Sequence, residues 1–171
     1  MKCDDQTLQV LAQEVGTALA GRGCWLVSAE SCTGGWIGQA VTSLAGSSAW
    51  YDRGYITYSN QAKQQMLGVQ AITLAQHGAV SEQTAQEMAA GALKMSAAQV
   101  AVAVTGIAGP GGGSADKPVG MVCFGWALKQ GLARTRTCFF SGDREAVRRQ
   151  AVATALSGLL ELLNELPPSV A

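Results

Sequence analysis

The sequence predicts an α/β fold: a single-domain, three-layer α/β/α sandwich on a mixed, mostly parallel sheet of about five strands, with a β-hairpin in its C-terminal half. Three observations carry this. Short apolar or β-branched runs at residues 24–29, 53–58 and 99–105 have the length of strands. Helical segments separate them, the alternation that builds parallel strands joined by crossovers. In the second half two strand-like stretches, residues 119–128 and 132–140, flank Lys129-Gln130-Gly131 with no helix between, which is an antiparallel hairpin. No repeat, low-complexity tract or linker divides the 171 residues, so the chain reads as one domain with its core at about 8–165.

Each element has a local reason. Leu8, Leu11, Val15 and Leu19 recur at helical spacing after Asp4-Asp5, and Gly21 and Gly23 end that helix. Residues 24–29 make a buried strand. The polar turn Ser31-Cys32-Thr33-Gly34-Gly35 follows, then a short helix from Trp36 to Ser43. After the strand at 53–58, Ser59 caps a helix from Asn60 that Gly68 stops. Ser81 caps a longer one to about Met95, with Glu82 in its first turn. Residues 99–105 are continuously apolar and so belong at the centre of the sheet. A loop at 106–118 holds five of the 21 glycines. Beyond the hairpin, Asp143 starts a last helix to about Glu165, which Pro167-Pro168 ends.

Composition narrows the function. Twelve Lys+Arg balance twelve Asp+Glu, which argues against nucleic-acid binding, where a basic footprint is needed. The one histidine, His77, excludes zinc sites built on two or three histidines. It also means that proton-transfer chemistry belongs to something other than imidazole. His77 itself, beside Gly78, reads as a structural or surface residue in a connection between helices. Five cysteines, widely spaced and odd in number, suit reduced thiols in a cytoplasmic protein better than a disulfide framework. No signal peptide and no membrane span are expected.

Four segments carry candidate chemistry. Ser31 lies at a strand-to-helix turn, where open α/β folds expose ligand-binding groups. The amides of Thr33, Gly34 and Gly35 there could receive a developing oxyanion. The same serine would equally serve as an ordinary helix cap, and Cys32 is a rival nucleophile, since a helix N-terminus lowers a thiol pKa. Lys63, early in the short helix after Tyr58-Ser59, becomes a general base if burial and the helix dipole strip its proton. Otherwise it is one more solvated lysine. Ser-Lys pairs are a known nucleophile-base arrangement, and Tyr58 is placed to relay a proton or hold the lysine. Thr105-Gly106-Ile107-Ala108-Gly109-Pro110, a glycine-rich segment after a buried strand, lets backbone approach a ligand. It fits neither the dinucleotide fingerprint nor a phosphate loop closed by Gly-Lys-Ser/Thr. Arg144, Arg148 and Arg149 lie at or near the start of the last helix, where one or two could meet a phosphate, while Arg149 at least reads as part of a solvated helix face paired with Asp143 and Glu145.

Taken together, these strings resemble a known family. They are Ala29-Glu30-Ser31-Cys32-Thr33-Gly34-Gly35, Ala45-Gly46-Ser47-Ser48-Ala49-Trp50, Tyr55-Ile56-Thr57-Tyr58-Ser59-Asn60 with Lys63, His77-Gly78-Ala79-Val80-Ser81, the Thr105–Pro110 string, Lys117-Pro118-Val119-Gly120 and Phe140-Ser141-Gly142-Asp143-Arg144. From about Leu8 to Leu163 the chain closely resembles the stand-alone form of the CinA C-terminal domain family, the nicotinamide-nucleotide amidases. The resemblance implies metal-free, cofactor-free hydrolysis of the carboxamide of nicotinamide mononucleotide (NMN) in pyridine-nucleotide salvage. It implies a Ser-Lys pair at Ser31 and Lys63, assisted by Tyr58. Thr33, Gly34, Gly35, Thr105, Gly106, Gly109 and Arg144 are the expected substrate-binding residues. The expected partner is the nucleotide alone, in a cytoplasmic homodimer to which the four tryptophans contribute mainly core and in part contact. A non-catalytic, competence-associated nucleotide-binding module is the alternative.

Overall fold

The computed structural model describes residues 3–166. Its elements run α1 (Asp5–Ala20), β1 (Leu26–Glu30), α2 (Trp36–Thr42), a 3-10 turn (Ser47–Ala49), β2 (Tyr51–Ile56), α3 (Asn60–Leu67), α4 (Ala71–His77), α5 (Glu82–Lys94), β3 (Val100–Gly106), β4 (Met121–Leu128), β5 (Ala133–Phe139) and α6 (Arg144–Asn164). The sheet order is β2-β1-β3-β4-β5. β1 pairs in parallel with both β2 and β3, while β4 is antiparallel to β3 and to β5. Four strands therefore point one way and β4 alone opposes them, which is the mixed, mostly parallel sheet expected.

Strand alternation decides which layer each side chain joins. Leu26, Val100, Val102, Val104, Val122, Phe124 and Trp126 face a core shared with α1, α2 and α6. Val27, Ala29, Ala101, Ala103 and Ala127 face the other layer, with Met88, Ala89 and Ala92 of α5. The second face is lined by alanines, so α5 rides close to the sheet. A Cβ on Gly125 of β4 would stand 2.5 Å from the Ala85 carbonyl oxygen, closer than any real side chain tolerates. At Gly91 the approach is closer still, with the Leu67 carbonyl in the place of a side chain, and this contact seats α3 on α5. On the opposite layer Leu156, Leu159, Leu162 and Leu163 of α6 are fully buried, each contributing on the order of 1.5–3 kcal/mol.

The caps read from sequence are in place. Ser59 Oγ accepts from Ala62 N at 3.0 Å, Ser81 Oγ from Thr84 N at 3.1 Å and Asp143 Oδ1 from Ala146 N at 2.9 Å. β1 and β4 begin two residues later than expected, at Leu26 and Met121, and two further differences bear on the site. α4 was not foreseen, and it turns His77 from a loop residue into the last residue of a helix. β2 begins and ends two residues earlier than the apolar run suggested. Its partner β1 stops at Glu30, so after Thr57 N donates to the Glu30 carbonyl at 2.8 Å the chain has nothing left to pair with and leaves the sheet. Thr57 and Tyr58 thereby become connecting residues at the carboxyl end of the sheet. The expected stop at Pro167-Pro168 lies outside the described residues.

Candidate active site

The parallel strands β2, β1 and β3 end side by side, at Ile56, Glu30 and Gly106. From β1 the chain first moves outward to β2 and then returns to the other side of β1 to place β3. Strand order reverses there, and open α/β sheets leave a crevice at such a point. Ser31, Thr57-Tyr58 and Thr105-Gly106 are the residues delivered to it.

Ser31 does not cap a helix. The N-cap of α2 is Gly35, in a left-handed conformation (φ 99°) with no side-chain cap bond, four residues further on. The Ser31 hydroxyl is instead met by Lys63, whose Nζ donates to Ser31 Oγ at 3.0 Å and to the Thr57 carbonyl at 2.9 Å. Lys63 is 1% exposed and Ser31 8%. Lys63 reaches inward because Ser59 starts α3 immediately after β2 leaves the sheet, and Gly91 lets α3 lie on α5. Burial pushes the Lys63 ammonium below its ordinary value, the direction that favours a neutral amine. Cys32 is the opposite case. Burial pushes its thiol up to about 12, so at neutral pH it carries essentially no thiolate.

A cavity of about 190 Å³ opens over the pair, lined by Ser31, Cys32, Tyr58, Asn60, Lys63, Ala79, Thr105, Gly106 and Arg144 among others. Thr105 is buried with its hydroxyl on the Ala79 carbonyl, 2.7 Å away. Tyr58 is 63% exposed at the rim, and its hydroxyl accepts from Arg144 Nη2 at 2.9 Å. The structure thus brings Tyr58 to the cavity but places its hydroxyl on Arg144, not on Lys63 or Ser31. Arg144 Nη1 donates to the Gly109 carbonyl at 2.7 Å, and Gly109 itself does not line the cavity.

Gly34 and Gly35 do not line this cavity. They border a wider adjoining groove of about 650 Å³, together with Thr33, Trp36, Arg144, Arg148 and Arg149. Arg144 belongs to both spaces and joins them. Thr33 is fully buried with its hydroxyl on Glu30, so only its backbone is available to a ligand. Among the described residues no three His, Cys, Asp or Glu side chains gather as metal ligands would, and no helix is long and apolar enough to cross a membrane.

The match to known proteins falls on these same residues. The description "CinA C-terminal domain" fits residues 8–163, a span that contains every residue of the cavity. This chain belongs to the CinA C-terminal domain family. Within that family it is 57% identical over 155 residues to the nicotinamide-nucleotide amidohydrolase PncC of Escherichia coli (strain K12), covering 91% of this chain and 94% of that one. It is 48% identical over 158 residues to the protein of the same name from Pseudomonas putida, with 92% and 98% covered. The crystal structure of competence damage-inducible protein A from Klebsiella pneumoniae subsp. pneumoniae MGH 78578 superposes with a TM-score of 0.90 at 44% identity, over 94% of this chain and 99% of that one. CinA-family architecture is thus the architecture described above.

Two groups hold the site together in a role the sequence did not show, Glu30 at the start of the Ser31 turn and Arg148 among the arginines of the last helix. Glu30, 1% exposed, accepts from Thr33 Oγ1, Ile37 N and Gly38 N at 2.7, 2.9 and 3.2 Å. Arg148 donates to the carbonyls of Cys32 and Thr33, each at 3.0 Å, and its guanidinium stacks 5.2 Å from the centre of the Trp36 ring.

Proposed function

We propose that this protein is a nicotinamide-nucleotide amidohydrolase that converts NMN to nicotinate mononucleotide and ammonia, with Ser31 as nucleophile and Lys63 as its general base. The observation that carries the reading is the 3.0 Å contact between Lys63 Nζ and Ser31 Oγ, buried together at the carboxyl ends of parallel strands. The names of the 57% and 48% identical relatives supply the substrate class.

Ser31 Oγ attacks the carboxamide carbon, and neutral Lys63 takes the hydroxyl proton. The negative charge that builds on the carboxamide oxygen rests on backbone amides of the turns lining the cavity. The tetrahedral adduct collapses, the C–N bond breaks, and the Lys63 ammonium gives its proton to the departing amine, which leaves as ammonia. Water then attacks the Ser31 ester. Lys63 accepts the water proton and returns one to Ser31 Oγ as nicotinate mononucleotide is released. Thr105 and Gly106 bound the space for the pyridine ring, while the groove along Gly34 and Gly35 takes the ribose phosphate beside Arg144. Tyr58 assists by fixing Arg144 at the junction of the two spaces.

The same reading makes the enzyme cytoplasmic and homodimeric. Among the described residues Cys3, Cys24, Cys32, Cys123 and Cys138 form no disulfide, which suits a reducing compartment. Phe139, 67% exposed on the edge strand β5, offers an apolar patch on which a second copy would pack. The deciding experiment measures ammonia released from NMN by Ser31→Ala and by Lys63→Ala. Each is expected to lose at least about 10⁴-fold in kcat, and the double variant to be no worse than the singles, because a nucleophile and its base act as one unit. A folded single variant with near wild-type turnover overturns the mechanism.

A further inference from the structure

A nucleophile on a turn is only as good as the turn is fixed, and residues 31–35 have little to fix them locally. Two of the five are glycines with positive φ, Gly34 at 61° and Gly35 at 99°. The helix that follows has no side-chain cap of its own. The turn is held by two charged groups instead, one from beneath and one from outside. Glu30 precedes Ser31 directly, and its buried carboxylate takes the Thr33 hydroxyl on Oε1 together with the Ile37 amide. Its second oxygen takes the Gly38 amide. That carboxylate therefore serves as the missing cap of α2 and as an anchor for Thr33 at once. Arg148 arrives from α6, more than a hundred residues away, and forks onto the Cys32 and Thr33 carbonyls. Its plane is fixed against Trp36, with Arg149 stacked on the same ring at 4.9 Å.

Thr33 is thus gripped at both ends, by its hydroxyl on an anion and by its carbonyl on a cation, two residues after the nucleophile. Neither partner lies in the cavity over Ser31 and Lys63. The geometry points to Glu30 and Arg148 as positioning residues for the known family reaction: acting through Thr33, they set where Ser31 Oγ lies relative to Lys63 and the substrate carbonyl. This rests on Ser31 being the nucleophile. A lysine in place of Arg148 keeps the charge but has no planar fork for two carbonyls. A valine in place of Thr33 keeps the shape but gives Glu30 no hydroxyl. In both, the turn gains freedom while Ser31, Lys63 and Arg144 keep their side chains; because Arg148 also borders the groove along Gly34 and Gly35, KM has to be read beside kcat.

The test compares Arg148→Lys, Thr33→Val, Thr33→Ser and Glu30→Gln with the parent enzyme in NMN hydrolysis, reading kcat, KM, the acid limb of the pH–rate profile and the thermal midpoint. Thr33→Val and Arg148→Lys are expected to lose about 10- to 100-fold in kcat, the scale of a displacement of about 1 Å at a reacting centre. KM should stay within about threefold and the acid limb should not move, because Lys63 is untouched. Thr33→Ser, which restores the hydroxyl, should recover most of the rate. Glu30→Gln should lose at least as much as Thr33→Val. If Glu30→Gln does not fold, the Thr33 pair decides for that side of the turn. Unchanged kcat in folded Thr33→Val and Arg148→Lys overturns the proposal, as does equal loss in Thr33→Val and Thr33→Ser. A rise in KM at constant kcat makes Arg148 a substrate-holding group and also overturns it. Ser31→Ala run beside them separates the two readings. If it is inactive while the positioning variants are normal, only this proposal fails; if it turns over NMN, the nucleophile assignment falls first.

Discussion

The hydroxyl of Tyr58 accepts a 2.9 Å hydrogen bond from Arg144 Nη2, across 86 positions of sequence. The other hydrogen bond recorded for the Arg144 guanidinium goes to a neutral oxygen too, the Gly109 carbonyl at 2.7 Å. Neither partner neutralises the cation, which stands where the cavity over Ser31 meets the wider groove. A charge held in place but not cancelled is what a site needs in order to meet an anionic group such as a phosphate.

Arg144→Ala should therefore raise KM for NMN by about 10- to 150-fold, the loss of one charge-assisted contact of about 1.5–3 kcal/mol. The kcat value should change much less. Tyr58→Phe keeps the ring and removes only the hydroxyl that steadies the guanidinium, so KM should rise a few-fold with kcat within about threefold. Steady-state kinetics on the two variants checks both, and a Tyr58→Phe enzyme that loses kcat alone would assign the hydroxyl to proton transfer.

The lowered pKa of Lys63 fixes the shape of the rate profile. Only the neutral amine can accept the Ser31 proton, so kcat/KM should rise with pH as Lys63 deprotonates and level off above. Because burial lowers this pKa from 10.5, the rising limb should be complete before the pH at which an exposed lysine titrates. A limb centred at or above 10.5 would contradict a buried base.

The same burial has a stability consequence with a definite sign. At pH below the folded-state pKa, Lys63 is protonated both folded and unfolded, and the cost of burying its ammonium is fully present. Between that value and 10.5 the unfolded chain holds a proton the folded one does not, so stability rises with pH across the window. Lys63→Met has no such proton. Its loss of a donor to the Thr57 carbonyl does not depend on pH, so the difference in Tm between parent and variant should move in favour of the parent as pH climbs toward 10.5. Thermal melts at several pH values check it, and a constant difference would refute it.

Ser31 and Lys63 were legible in the sequence because each sits next to a local signal, a strand end before a glycine turn and a capping serine before a short helix. The sheet was legible for the same reason: its strands are apolar runs bounded by polar turns. Glu30 was not. A cap is normally sought at the residue where the helix starts, and here the capping carboxylate lies five residues before Gly35, which is visible only once the turn has folded back on it. Arg148 reads in the sequence only as one of three arginines of which one or two could meet a phosphate, and its two acceptors are 116 and 115 positions away. α4 escaped because Gln70 provides no side-chain cap and Ile72, 56% exposed, breaks the apolar face that would have marked a helix.

Gly91 offers a test of how α3 is seated. A methyl group there has no room beside the Leu67 carbonyl, so Gly91→Ala must push α3 away from α5. Overpacking of this kind costs about 1–3 kcal/mol, although helix propensity taken alone would make the change favourable by about 1 kcal/mol. Because α3 carries Lys63, the variant should also lose kcat in its folded fraction. Denaturant unfolding and kinetics on the same preparation read the two effects separately.

Cys32 follows Ser31 directly and borders the same cavity, so the assignment of the nucleophile has to hold against it. With its thiol pushed up to about 12, less than about one molecule in ten thousand carries a thiolate at neutral pH. Its side chain is also part of the hydrophobic core, 6% exposed, with Ile37 and Val104 in the same cluster. Cys32→Ala should thus behave as a small core truncation. It should cost about 1 kcal/mol of stability and leave kcat within a few-fold of the parent, while Ser31→Ala abolishes turnover. Iodoacetamide should modify Cys32 in the folded enzyme far more slowly than a free thiol. If Cys32→Ala loses activity to the extent that Ser31→Ala does, with its fold intact, the thiol takes part in the chemistry and the Ser31 assignment must be abandoned.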